Sequence, residues 1–172
     1  MCLGPPARDN ELRSPSGVRR LDRPTAERSA MTSSSSRHPD TIRTLSEDEC
    51  LSLLSTTTVG RVAFSSVEGP ELVPVNFVLI DRTIYFRTLP DGFLSQLSRG
   101  NDGVAFGIDF HDDTSLEGWN VTIKGPASQV EDRATINLVL GHSQLRPWAG
   151  GVRPLMIRIE IRSISGRRVS GH

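Results

Sequence analysis

Asp109, His111, Asp112 and Asp113 crowd into one short stretch of the chain. Carboxylates beside an imidazole are metal-ligating and acid–base groups. Here they fall where a strand runs out into a turn, which suits a solvated strand end. A metal at that point would need further ligands that the sequence does not place nearby. The four histidines, His38, His111, His142 and His172, are scattered, with none at helical metal spacing. The chain has no H-E-x-x-H, no C-x-x-C and no G-x-S-x-G elbow. Neither common nucleotide cradle is present, since G-x-x-x-x-G-K-[ST] and a post-strand G-x-G-x-x-G are both missing. Nineteen of the twenty basic residues are arginine, and Lys124 is the one lysine. A guanidinium fork suits carboxylate and phosphate, but an excess of this size fits compositional bias, so each arginine is judged by its place. If the protein is an enzyme, its reactive group is expected to come from a bound cofactor.

The chain that must position such a group has 172 residues, room for one domain and a tail. Hydrophobic residues make up 36% and charged residues 23%, and the net charge is zero. That balance gives no basic face for nucleic acid. No apolar run is long enough to span a membrane, and Met1–Asn10 has no signal-peptide core. Cys2 and Cys50 cannot build a disulfide framework, which suits a reducing cytoplasm. Residues 1–40 hold five prolines, the run Ser33–Ser36 and no Phe, Tyr, Trp or Ile. They cannot bury enough apolar surface to offset ordering entropy, so a disordered tail is expected. Met31 opens the serine run and offers an alternative start. The domain is expected over 41–172.

Leu45–Leu51 opens a helix, with Ser46 as cap and Glu49 completing a capping box. Cys50 reads as a small core hydrophobe on it. Val59–Ser66 alternates as a strand, Leu72–Ile80 is a near-continuous apolar strand, and Asp81-Arg82 is a tight turn into Thr83–Thr88. Phe93–Ser98 is a short helix. Val104, Phe106, Ile108 and Phe110 mark a fourth strand. Trp119, Val121 and Ile123 mark a fifth that continues to Val130. Glu131–Gln144 is expected to be helical through Ala134, Leu138 and Val139. Ile157, Ile159 and Ile161 mark a sixth strand. Six strands, short helices and hairpin-length links predict a mainly β fold, a closed or nearly closed antiparallel barrel.

Val59-Gly60-Arg61-Val62-Ala63-Phe64, Val73-Pro74-Val75-Asn76-Phe77, Ile84-Tyr85-Phe86-Arg87-Thr88 and Gly118-Trp119-Asn120-Val121 follow in one order. With the closing Ile164-Ser165-Gly166-Arg167-Arg168, they resemble the pyridoxamine 5′-phosphate oxidase-like family over residues 44–169. The nearest branch is that of short actinobacterial members. The resemblance implies a six-stranded split barrel, a homodimer with FMN in clefts between subunits, and an FMN-dependent oxidoreductase acting on a small-molecule substrate. Some relatives hold a deazaflavin coenzyme or haem instead. The alternatives are therefore a non-enzymatic flavin, deazaflavin or haem binding protein, or a barrel that has lost its cofactor. Haem would favour His111 or His142 as axial ligand.

The same resemblance implies the site. Pro74, Val75 and Asn76 match the segment along the isoalloxazine. Asn76 is a polar amide among Val73, Val75, Phe77 and Val78, and needs a partner if buried. Arg87 and Thr88 match the strand end that meets the flavin phosphate, one giving a charged fork and the other a hydroxyl. Relatives then carry a basic residue at the start of the next helix, where this chain has Gly92-Phe93. Arg61 is expected to supply the missing charge, and the helix's N–H groups to face the anion. Trp119, Asn120 and Val121 match the segment that reaches the ring, with Asn120 at its carbonyl edge. Trp148 lies in a loop expected near the cleft mouth.

Overall fold

The computed structural model of the protein describes residues 41–142 and 152–170. The expected tail, Trp148, His38 and His172 lie outside the described residues. The elements run β1 (Thr41–Thr44), α1 (Glu47–Leu54), β2 (Val59–Ser66), β3 (Gly69–Ile80) and β4 (Thr83–Thr88). A 3-10 helix, Phe93–Arg99, follows, then β5 (Asn101–Asp112), β6 (Glu117–Gln129) and α2 (Arg133–Gly141). The chain ends in β7 (Leu155–Glu160) and β8 (Ser163–Ser170).

The strands form one antiparallel sheet in the order β1-β8-β6-β5-β2-β3-β4-β7, and β6 also pairs with β7. That last pairing closes β2 to β7 into a six-stranded barrel, as the sequence predicts. β8 and β1 extend the sheet outward from β6 and are additional to the six expected strands. β6 divides one edge between two partners. Gly118–Lys124 pair with β8, and Ala127–Gln129 pair with β7. The β7–β8 corner therefore crosses β6 at Gly125.

Side-chain alternation decides which residues fill the barrel. Val62, Phe77, Ile84, Phe86, Phe106, Ile108, Val121, Ile123, Ile157 and Ile159 point inward and are essentially fully buried. Phe77 and Phe106 meet edge to face with ring centroids 4.8 Å apart. α1 covers the sheet where β8 joins β6, burying Cys50 and Leu54. The Leu45 N–H donates to the Gly166 carbonyl at 2.9 Å and fixes the entry to that helix.

α2 packs on the outside of the barrel, where Val78, Val130, Val139 and Met156 form a second cluster with Ile80, Tyr85 and Ile136. Its buried face differs from the sequence expectation. Ile136 and Val139 contact the barrel, while Leu138 is 54% exposed. The helix begins at Arg133 rather than at Glu131, and Asp132 caps it by accepting from the Thr135 N–H at 2.7 Å. The sixth expected strand sits two residues earlier than its isoleucines suggest, because Ile161 already belongs to the corner. Among the described residues, no helix is long and apolar enough to cross a membrane.

The α1 capping box gives a pH prediction. The Ser46 hydroxyl accepts from the Glu49 N–H, and the Glu49 carboxylate accepts from the Ser46 N–H at 2.8 Å. Arg43 adds an ion pair at 2.8 Å. Hydrogen bonding to Arg43, then to the Ser46 N–H, lowers the Glu49 carboxyl from 4.5 to about 2. A depressed folded-state value gives a contribution that is full above about 4.5 and lost as pH falls through about 2. The melting temperature is expected to fall across that window. Glu49→Gln should flatten that part of the profile, and carboxyl-resolved NMR titration should find Glu49 still ionised at pH 3.

Candidate functional site

Alternation along the strands places one set of side chains outside the barrel. On β2 these are Val59, Arg61 and Ala63, on β3 Leu72, Pro74 and Asn76, and on β5 Ala105, Gly107 and Asp109. Asn120 and Thr122 join them on β6. α2 covers the outer face only over β3, β4 and β7. The remaining outer face carries a groove of about 250 Å³ lined by Arg61, Ala63, Leu72, Gly107, Asp109 and Asn120, among others. Its floor is small side chains from two neighbouring strands.

Pairing of β2 with β5 stops at Arg61–Gly107. Beyond that point the Arg61 guanidinium reaches across to donate to the Asp109 carboxylate. Both groups are half exposed, so the pair is weakly stabilising by itself, about 0–1 kcal/mol. Asp109 stands directly opposite Asn120 on β6, and Asn120 stands opposite Arg167 on β8. On the other side of the groove Val59 stands opposite Asn76. Asn76 and Arg87 each lie one step beyond the Phe77–Phe86 pair. Counted by register, Arg87, Asn76, Val59, Asp109, Asn120 and Arg167 form a single cross-strand row on the outer surface. At roughly 4.8 Å per strand, Arg87 to Asp109 is about 14 Å along the surface.

The residues that the resemblance selected divide into two sets. Arg87, Asn76 and Asn120 fall on this row, with Arg61 and Pro74 beside it. Val75 and Val121 point into the core at 7% and 1% exposure, so they offer a ligand only backbone groups. Thr88 is also buried, at 7%. Trp119 is half-buried and stacks on Phe110 across β5 and β6, with centroids 6.1 Å apart. Arg87 donates through Nε to the Arg153 carbonyl at 2.7 Å and makes no ion pair among the described residues.

Arg61 is not brought to Arg87. It sits two strands away, and Asp109 already answers its charge. The segment after Thr88 is a seven-residue 3-10 helix in which Phe93 leans on Phe64 at 6.2 Å. His111 and His142 are exposed on separate elements, and the described residues hold no His, Cys, Asp and Glu cluster that could bind a metal. Cys50 is fully buried, and burial pushes its thiol above the usual range.

Sequence reasoning missed Asp109 as a partner of Arg61 and Gly107 as part of the floor. The alternation of Val104, Phe106 and Ile108 already put Asp109 and Gly107 on the opposite face. What it lacked was the strand order that seats β5 beside β2.

A closed antiparallel barrel in which β6 shares one edge between β7 of the barrel and β8 of the extension is a split barrel. The chain belongs to the pyridoxamine 5′-phosphate oxidase family, whose profile matches residues 46–168. A solved structure from Corynebacterium glutamicum, which takes its name from the same oxidase, is 27% identical with a TM-score of 0.66. That match covers 76% of this chain and 95% of the other. The FAD binding protein from Mycobacterium smegmatis is 29% identical with a TM-score of 0.62, covering 74% and 98% of the two chains. An uncharacterized protein of Mycobacterium tuberculosis is 28% identical over 73% of this chain and 84% of its own length.

Proposed function

We propose that the protein is a cytoplasmic, homodimeric flavoprotein that uses FMN in redox chemistry on a small molecule. The observation that carries this reading is the cross-strand row. Asn76 and Arg87, from the β3–β4 hairpin, stand by register in line with Asn120 from the distant β6, on the outer side of their strands. A flavin needs a cation for its phosphate, polar groups along its ring edge and a flat apolar surface. Arg87 supplies the first, Asn76 and Asn120 the second, and the Ala63–Ala105–Gly107 floor the third. The relative from Mycobacterium smegmatis is named as an FAD binding protein, so FAD belongs in the test beside FMN.

A bound flavin supplies hydride exchange at its ring. This chain's residues hold and orient it. Arg87 fixes the phosphate end with its terminal guanidinium nitrogens, since its Nε is already given to the Arg153 carbonyl. Thr88, beneath the Gly92 turn, backs that end from inside the barrel. A second copy of the chain over the groove would exclude water from the ring. Leu72, 64% exposed at the rim, suits such an interface.

The test is a visible spectrum of the purified protein with FMN and with FAD, together with the mass of the particle in solution. Flavin bands with quenched fluorescence on a dimer support the reading. A colourless monomer that ignores both flavins overturns it. Arg87→Ala should cost a charge-assisted contact of about 1.5–3 kcal/mol, roughly ten- to over a hundredfold in FMN affinity by fluorescence titration. Unchanged affinity would remove Arg87 from the site.

A further inference from the structure

We propose that Arg61, Asp109 and Asn120 form a recognition edge for a cyclic imide, and that Asp109 accepts the imide N–H. This rests on the flavin reading above and names the part of the flavin that the groove takes, its pyrimidine edge. The three side chains line one groove. Arg61 donates to Asp109, and Asp109 stands directly opposite Asn120. In sequence across the surface they present a donor, an acceptor, and an amide able to donate. A cyclic imide presents the complement, a carbonyl, an N–H and a second carbonyl. Both charged groups are half exposed, so the Arg61 fork and the Asp109 oxygens keep capacity beyond the bond they share.

Gly107 gives an independent reason to expect a flat ring here. A Cβ built on Gly60, Gly118, Gly125 or Gly166 would come within 3.0 Å of the fold's own atoms. A Cβ on Gly107 would meet only the Val121 carbonyl oxygen, at an ordinary 3.7 Å. Packing does not require glycine at that position. Its effect is to keep the floor beside Asp109 low, flanked by Ala63 and Ala105. Asp109 thereby acquires two roles. It positions the Arg61 guanidinium, and it selects for a ligand that has a proton to give. A deazaflavin has the same imide edge, so this contact does not distinguish it from FMN.

The probes are FMN and its N3-methyl analogue, titrated into the full-length protein by fluorescence quenching. The wild type should bind FMN about tenfold or more tightly than the N3-methyl form, because methylation removes the proton Asp109 accepts. Asp109→Ala should bring the two affinities together. Arg61→Ala should weaken both ligands and keep a preference for FMN. Wild-type protein that binds both forms equally overturns the proposal, as does a preference that survives Asp109→Ala. Binding of neither form fails the flavin reading itself, and the proposal with it. Melting curves of the variants confirm that each is folded, as replacement of exposed groups leads one to expect.

Discussion

Gly125→Ala is expected to destabilise the barrel more than any other single methyl group added to it. An added Cβ would lie 1.8 Å from the Glu160 carbonyl oxygen and 3.0 Å from its carbonyl carbon. Both are backbone atoms at the corner where β7 gives way to β8. That corner is held from the other side as well, since the Arg162 N–H donates to the Lys124 carbonyl at 3.0 Å. Overpacking costs about 1–3 kcal/mol where side chains can shift. Here only backbone is available to move, and moving it breaks β6 from β7 or from β8. A loss above about 3 kcal/mol is therefore expected, a large part of a small domain's stability. Thermal unfolding by circular dichroism measures it. A wild-type melting temperature would mean that β7 and β8 do not share β6 in this way.

Phe106→Ala should be nearly as damaging, at about 3–5 kcal/mol. Phe106 is 1% exposed and packs edge-on against Phe77. Its ring also occupies the space that a side chain on Gly60 would take, with Cζ 2.2 Å from an ideal Cβ there. Large and small residues on β2 and β5 are thus matched across the barrel interior. The matching makes the two sites non-additive. Gly60→Ala in the wild-type background should be strongly destabilising, yet nearly free beside Phe106→Leu. Chemical denaturation of the two single variants and the double variant gives the coupling. Strict additivity would show that the two positions do not touch.

The barrel was readable because its strands announce themselves. Val62 and Phe64, Ile84 and Phe86, and the run from Val104 to Ile108 alternate cleanly with polar or small residues, and the inward set is the buried set. The α1 cap was readable for a similar local reason, Ser46 and Glu49 at capping-box spacing. β1 and β8 were not read as strands from their pattern. Arg43, Arg167 and Arg168 interrupt any apolar alternation, because these strands are covered by little more than α1. The buried face of α2 was read only in part. Val139 is buried as expected, but Leu138 is exposed, and Ile136 one turn before Val139 joins it against Val78 and Met156. Of the site, Asn76, Arg87 and Asn120 came from motif order. The Arg61–Asp109 contact spans forty-eight positions and two non-consecutive strands. No local pattern encodes such a pair.

The strand that shuts the barrel is made late. A nascent chain exposes β2 to β6 before Leu155–Glu160 has left the ribosome. Until then β4 and β6 are bare edges, and Ile84, Phe86 and Ile123 face water. Such an intermediate is a target for chaperones and proteases, and a template for pairing with other open sheets. A message cut before the codons of β7 would yield an open, adhesive sheet rather than a slightly shorter protein. Closure of this barrel therefore waits on a strand that is made late in synthesis.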